Sequence, residues 1–275
     1  MMFATTSCPW LADADWCLHP DGARVPVAWP IHVFRHFGGV ADALAMDSDP
    51  FATKRSRAVW RGAASGVHVT HSQRWHLVQQ LVTLDAHPEL DIGLIDDPQL
   101  KRVLQKLPSN VYGNLISTNI KPVLSRSQMW GHKMIIFVEG NDVSSGLKWG
   151  LATSSAVLMP PPTATSWAME GRLVPWRHYV PLAQNVSDLA DKARWCLDNE
   201  AKCEEIGLAG RCFVLQFLDE QRERAVAAAV ATGAATAAER TGAAETCRAL
   251  FPANPSEAPQ DVCRPFDASM EDWYV

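Results

Sequence analysis

The sequence has no excess of positive charge. Lys and Arg number 25 against 30 Asp and Glu, a formal net charge of −5 over 275 residues. A protein that grips a duplex through its phosphates is usually basic, so general nucleic-acid binding is disfavoured. No run reaches the roughly 18 apolar residues that a membrane-spanning helix needs. The GxxxxGKS/T loop, the GxSxG elbow and HExxH are all missing, which removes P-loop ATP hydrolysis, hydrolase-type serine chemistry and zincin chemistry. No CxxC pair occurs, and the seven cysteines (Cys8, Cys17, Cys196, Cys203, Cys212, Cys247 and Cys263) are odd in number. A zinc site or redox dithiol is therefore not expected. Cys196, Cys203 and Cys212 lie in helix-like sequence, so buried free thiols are expected. The start, MMFATTSCPWLADADW, has neither the basic nor the apolar region of a signal peptide, and the end, DWYV, is no retention signal. Either a cytosolic chain or one lacking its true start is expected.

Apolar residues make up 47% and charged residues 20%, enough for a packed core. The length is a prior for two units or one large one. Residues 1–53 are weakly periodic, and only VPVAWPIHVF, residues 25–34, reads as buried strand. From 57 to 218 strand and helix patterns alternate. RAVW (57–60), ELDIGLI (89–95), MIIFVEG (134–140), SAVLM (155–159) and HYVPL (178–182) read as strands, the continuous apolar ones suiting a parallel sheet buried on both faces. Ser72 is positioned to cap a helix with Trp75, Val78, Leu81 and Val82 on its apolar face. Ser144 or Ser145 is positioned to cap a helix with Leu147 and Leu151 inward. SWAMEG reads as a short helical stretch. Ser187 is positioned to cap a helix bearing Leu189, Ala193, Cys196 and Leu197, with Asp188 and Lys192 as an i,i+4 pair. A last helix carries Ile206, Ala209, Phe213 and Phe217. The pattern predicts a doubly wound α/β domain. Three domains are expected: 1–53, the body at 54–222, and an Ala-rich stretch with a polar tail at 223–275.

In an open parallel sheet, ligands sit beyond the carboxyl ends of the strands. Three segments meet that edge: 61–66 (RGAASG), 139–142 (EGND) and 160–166. The second leads into a helix start, which favours a phosphate, with Arg61, Lys148 and Arg74 as supplementary cations. Asp13-Ala14-Asp15 and Asp47-Ser48-Asp49 match a metal-binding D-x-D pattern, but neither follows an apolar strand. His132 and His178 lie near predicted strand ends, where a structural hydrogen bond is the ordinary role. Trp149, Trp167, Trp176 and Trp195 read as core or pocket walls.

The block HKMIIFVEGNDVSSGLKWGLATSSAVLMPPPTATSWAMEGRLVPWRHYVPL, residues 132–182, resembles glycosyltransferase family 90. That family holds lipopolysaccharide- and capsule-modifying transferases and protein O-glucosyltransferases. The AVWRGA–SG segment with Arg74 resembles a second family signature, VAWPIHVFRHF (27–37) fits more loosely, and the likeness runs over about 27–220, nearer the bacterial branch. It implies a GT-B-like architecture, with a C-terminal Rossmann-like nucleotide-sugar domain at 54–222 and an incomplete N-terminal, acceptor-side domain in 1–53. It also implies a nucleotide-sugar donor, a UDP-sugar, with inversion at the anomeric carbon and neither cofactor nor obligatory metal. The acceptor would be a glycan, a lipid-linked or lipopolysaccharide-like molecule, or a protein.

Carried over by resemblance, Arg61 contacts the diphosphate, Gly62 and Ser65 allow close approach, and Arg74 supports the same site. Glu139, Gly140, Asn141 and Asp142 line the nucleotide crevice. Ser144, Ser145 and Lys148 face the phosphates, and Glu170 and His178 stand at the rim. Two departures stand out. Animal members carry an Arg where this chain has Gly146. The family's base, an Asp far upstream, has no aligned counterpart, which leaves Asp13, Asp15 and Asp21 as weak substitutes and an N-terminally truncated chain as the expectation. The alternative reading is a catalytically silent nucleotide-sugar-binding module.

Overall fold

The computed structural model describes residues 39–63, 72–96, 100, 120–166, 168–218 and 228. Apart from Ala228 they belong to one of the chain's two compact units. The elements, in order, are α1 (Val40–Met46), β1 (Arg55–Gly62), α2 (Gln73–Leu84), β2 (Leu90–Leu94), α3 (Arg126–Trp130), β3 (His132–Ile136), α4 (Leu147–Leu151), β4 (Ala156–Met159), β5 (Val180–Pro181), α5 (Leu189–Asp198) and α6 (Glu200–Leu215). The five strands form one parallel sheet in the order β2-β1-β3-β4-β5. The expected 25–34 strand lies outside the described residues.

The sheet is covered on both faces, as its near-continuous apolar strands require. Alternate residues serve the two layers. Ala58, Trp60, Ile92, Met134, Ile136 and Leu158 pack with α2 and α5. Val59, Ile135, Val157 and Met159 pack with α1, α3, α4 and Val214 of α6. Ser72 caps α2 as expected, its Oγ accepting the Trp75 N–H at 3.1 Å. The buried stripe of α2 is Leu77, Val78, Leu81 and Leu84, with Trp75 partly covered beside it.

Several local expectations are corrected. The strand expected over 134–140 ends at Ile136; the Phe137 N–H still bonds the Leu158 carbonyl of β4, and beyond it the Val138 and Glu139 carbonyls are taken by Arg74. The cap of α4 is Gly146, with no side-chain bond. The Ser144 backbone carbonyl, not a serine hydroxyl, takes the Leu147 N–H. Leu147 and Leu151 do face inward. The cap of α5 is Asp188 rather than Ser187. Its carboxylate accepts the Ala183 N–H at 2.9 Å, while Lys192 Nζ lies 4.5 Å over the Trp176 ring, so the i,i+4 pair does not form. In α6 the buried residues are Cys203, Ile206, Gly207, Gly210 and Val214, with Ala209 and Phe213 only partly covered. A Cβ on Gly207 would stand 3.0 Å from the Ser155 carbonyl oxygen, so this face is the one that can lie on the backbone. Cys196 and Cys203 are buried free thiols, but Cys212, on a partly open side of α6, is disulfide-bonded, which corrects the expectation for that residue.

A buried ion pair closes the amino-terminal edge of the sheet. Lys54, just before β1, donates to Asp47 Oδ1 at 2.7 Å, to the Trp130 carbonyl at 2.6 Å and to Ser155 Oγ at 3.0 Å. Asp47 Oδ2 accepts the Ser154 N–H at 2.6 Å. The Asp47-Ser48-Asp49 motif is thereby tied into the protein at the edge away from the carboxyl ends.

Candidate functional site

The chain leaves β1 for β2 on one side, then returns to place β3 on the other side of β1. This reversal makes the carboxyl ends of β1 and β3 the topological switch point, where open α/β sheets hold ligands. Arg74, in the first turn of α2, spans that point. Its Nη1 donates to the Ala63 carbonyl at 3.4 Å and its Nη2 to the Val138 carbonyl at 3.2 Å. Its backbone N–H donates to the Glu139 carbonyl at 3.1 Å. One guanidinium thus rests on the chain leaving each of the two central strands.

Gln73 was not singled out from the sequence. It is 4% exposed, its Oε1 accepts the Glu139 N–H at 3.0 Å, and its Nε2 donates to the Pro161 carbonyl at 3.1 Å and to Gln184 Oε1 at 3.2 Å. A signal existed: 73, 77 and 81 fall on one helical stripe, so Gln73 continues an apolar face.

Two carboxylates organise the loop after β4. Glu139 accepts the Thr163 N–H at 3.0 Å, the Ala164 N–H at 3.2 Å and the Thr163 hydroxyl. Burial pushes its carboxyl above the usual glutamate range, against the pull of those donors. Glu170 accepts the Ser166 N–H and hydroxyl, each at 2.6 Å, and the Lys148 ammonium. Burial raises the Glu170 carboxyl, but Lys148 and Ser166 together outweigh it and hold the group below the ordinary range.

The candidate residues divide accordingly. Glu139, Glu170 and, through Glu170, Lys148 are linked at one edge by residues 161–166, and Arg74 joins them through its backbone N–H to the Glu139 carbonyl. Gly140, Asn141 and Asp142 follow β3 at the same edge, where Asp142 accepts the Val143 N–H at 2.8 Å and Asn141 is exposed. Ser144 and Ser145 are half-buried ahead of α4. Lys148 does not face open space: its side chain is 2% exposed and paired with Glu170, itself buried rather than at a rim. Arg61 is turned elsewhere. Its Nη2 meets Asp91 Oδ1 at 2.7 Å, Nη1 bonds the Asp91 and Trp60 carbonyls, and Nε bonds the Pro122 carbonyl. Gly62 ends β1, where a Cβ would strike the Trp60 ring. His178 precedes β5, hence at the opposite edge of the sheet. Its Nδ1 accepts the Val174 N–H at 2.9 Å, and burial, with Arg177, pushes it down to about 4, a neutral structural imidazole. Ser65, Asp13, Asp15 and Asp21 lie outside the described residues. Among the described residues no group of three or more His, Cys, Asp or Glu is placed to hold a metal, and no helix is long and apolar enough to cross a membrane.

A doubly covered parallel sheet of this kind is the architecture of a doubly wound α/β domain, and such domains hold ligands at the switch point. The family model for glycosyl transferase family 90 matches residues 40–223, and the chain belongs to that family. It is similar to the O-glucosyltransferase LpsA of Dichelobacter nodosus, 33% identical over 158 residues, covering 58% of this chain and 41% of that protein. It is also similar to human protein O-glucosyltransferase 3, 36% identical over 50 residues, 18% of this chain and 10% of that one. The chain thus spans about two-fifths of the length of LpsA. Among solved structures, a glycosyltransferase from Rickettsia africae aligns with a TM-score of 0.39 at 13% identity, over 58% of this chain and 42% of that one.

Proposed function

We propose that the chain carries the donor site of a transferase that moves a sugar from a UDP-sugar to a hydroxyl of a glycan, lipopolysaccharide-like or protein acceptor. The observation that supports this reading is Arg74 spanning the ends of β1 and β3. A guanidinium there offers charge-assisted bonds to a diphosphate and neutralises it as it leaves. On this reading the donor lies between residues 140–145, which follow β3, and residues 161–166, which follow β4 at the same edge of the sheet. In the inverting reaction the acceptor oxygen bonds to the anomeric carbon as the bond to the diphosphate oxygen breaks. The electron pair departs with the diphosphate, and a base takes the acceptor proton. With Arg74 as counter-charge the proposal requires no metal. Arg61 and Lys148, both engaged with carboxylates, are assigned no direct phosphate contact.

One observation favours a second reading, a silent nucleotide-sugar-binding module. Glu139 and Glu170 accept N–H groups of the 161–166 loop and Asp142 accepts the Val143 N–H, so each of the three carboxylates named at this edge has a structural partner and none is assigned the role of base. Asp13, Asp15 and Asp21 remain the candidates for that role.

The test is calorimetric titration with UDP and UDP-glucose, with EDTA and no added metal. Micromolar binding is expected, weakened about 30-fold (about 2 kcal/mol) by Arg74→Ala. A folded chain that shows no binding at millimolar ligand overturns the proposal. Binding that collapses in EDTA and returns with manganese overturns metal independence.

A further inference from the structure

The loop after β4 is held at successive points by side chains from other elements. Gln73 of α2 and Gln184 hold the Pro161 carbonyl, at 3.1 and 2.9 Å. Glu139, beyond β3, takes the N–H groups of Thr163 and Ala164. Glu170 takes the N–H and hydroxyl of Ser166. Residues 161–166 lie in no helix or strand, so these side chains supply the partners that regular structure would otherwise give. Lys148 reaches Glu170 from α4 and bonds the same Oε1 that accepts the Ser166 hydroxyl. The two carboxylates are near enough that the charge of Glu170 pushes the Glu139 carboxyl up, although burial is the larger cause.

We infer that Glu139 and the Lys148–Glu170 pair are positioning residues: they pre-form residues 161–166 as one wall of the donor crevice, and Lys148 acts on the donor only through Glu170 and this wall. The inference rests on the donor-site reading above for its effect on ligand. A wall built before binding spares the ligand the entropy of ordering it, so loosening it weakens affinity without removing any ligand contact. The ammonium of Lys148 keeps Glu170 ionised and acceptor-only, the state in which it can take both Ser166 donors.

The test is a double-mutant cycle on Lys148→Met and Glu170→Gln, with Glu139→Gln beside it, read by UDP affinity and by amide exchange followed by NMR. Lys148→Met and Glu170→Gln each weaken UDP binding by about 5- to 20-fold, and the double variant is no weaker than the weaker single. A lysine that touched phosphate gives the opposite pattern. Glu170→Gln would then free the ammonium and leave or tighten UDP binding, and that result overturns the inference. In the absence of UDP, exchange at Ser166 quickens at least tenfold in Lys148→Met and Glu170→Gln, and at Thr163 and Ala164 in Glu139→Gln. Unchanged exchange at these amides in folded variants also overturns it. If Lys148→Met does not fold, Glu139→Gln, at a half-buried position, carries the test. A wild-type chain that binds no UDP defeats the donor-site reading, while the exchange data still decide whether these residues build the wall.

Discussion

Lys54 and Asp47 meet at 2.7 Å with neither side chain exposed to solvent. Every oxygen of the carboxylate has a partner, and the ammonium has three acceptors drawn from the chain ahead of β1, β3 and β4. Removing one member leaves the other charge buried, which typically costs about 3–5 kcal/mol. Lys54→Met is therefore expected to destabilise by that amount in urea unfolding. Adding Asp47→Asn, which keeps an acceptor for Ser154 without the charge, should recover part of the loss. A cost below about 1 kcal/mol for Lys54→Met would show that the pair is not desolvated as described.

Gly150 gives a prediction whose sign runs against helix propensity. In a free helix Gly→Ala gains about 1 kcal/mol. Here the new Cβ would lie 2.2 Å from Cε2 of Phe137, a ring already packed edge-on against Trp149. Overpacking of this kind costs about 1–3 kcal/mol. Gly150→Ala should lower the Tm, and Phe137→Leu should cost less in that background than in the wild type. A raised Tm for Gly150→Ala would contradict the close contact.

Acid should weaken the fold partly through His178. Its folded value, about 4, is below the unfolded value of about 6.5. Between the two, the unfolded chain binds a proton that the folded chain does not. Stability therefore falls as pH drops through this window, by up to about 3 kcal/mol. Glu139, whose carboxyl is raised, contributes in the opposite sense. Comparison with His178→Gln isolates the imidazole. The variant should lose less Tm between pH 7 and pH 4 than the wild type, and an identical loss would remove His178 as the cause.

Arg61 and Arg74 should separate by assay. The Arg61 and Asp91 side chains are 7% and 22% exposed, and every nitrogen of the guanidinium is bonded within the protein. Arg61→Ala is expected to cost about 2 kcal/mol of stability and to leave UDP affinity within about twofold. Loss of UDP binding by a folded Arg61→Ala protein, measured by calorimetry, would return Arg61 to the phosphate.

The strands were legible where the chain is continuously apolar. MIIF and AVLM have few alternatives to a doubly covered parallel strand, and Ser72 marks the start of α2 through local chemistry alone. The edge that matters could also be read, since EGND and the segment at 160–166 follow apolar runs directly. What no local pattern showed was which acceptor each cation would take. Arg61 finds Asp91 because β1 and β2 pair in parallel with Arg61 opposite Gly93. Lys148 finds Glu170 because α4 and the loop after β4 close over the same spot. Gln73 was hidden for a related reason, its three partners, Glu139, Pro161 and Gln184, lying in three separate segments.

Hydrophobic periodicity and the strand–helix alternation, which act over a few residues, were enough by themselves to determine an α/β chain with its polar loops at the carboxyl edge. Only the tertiary structure decided that Arg74 spans the switch point and that Lys148 serves a carboxylate. Buried charges select partners by desolvation and by the register of elements distant in sequence, and neither is encoded within a short window of residues.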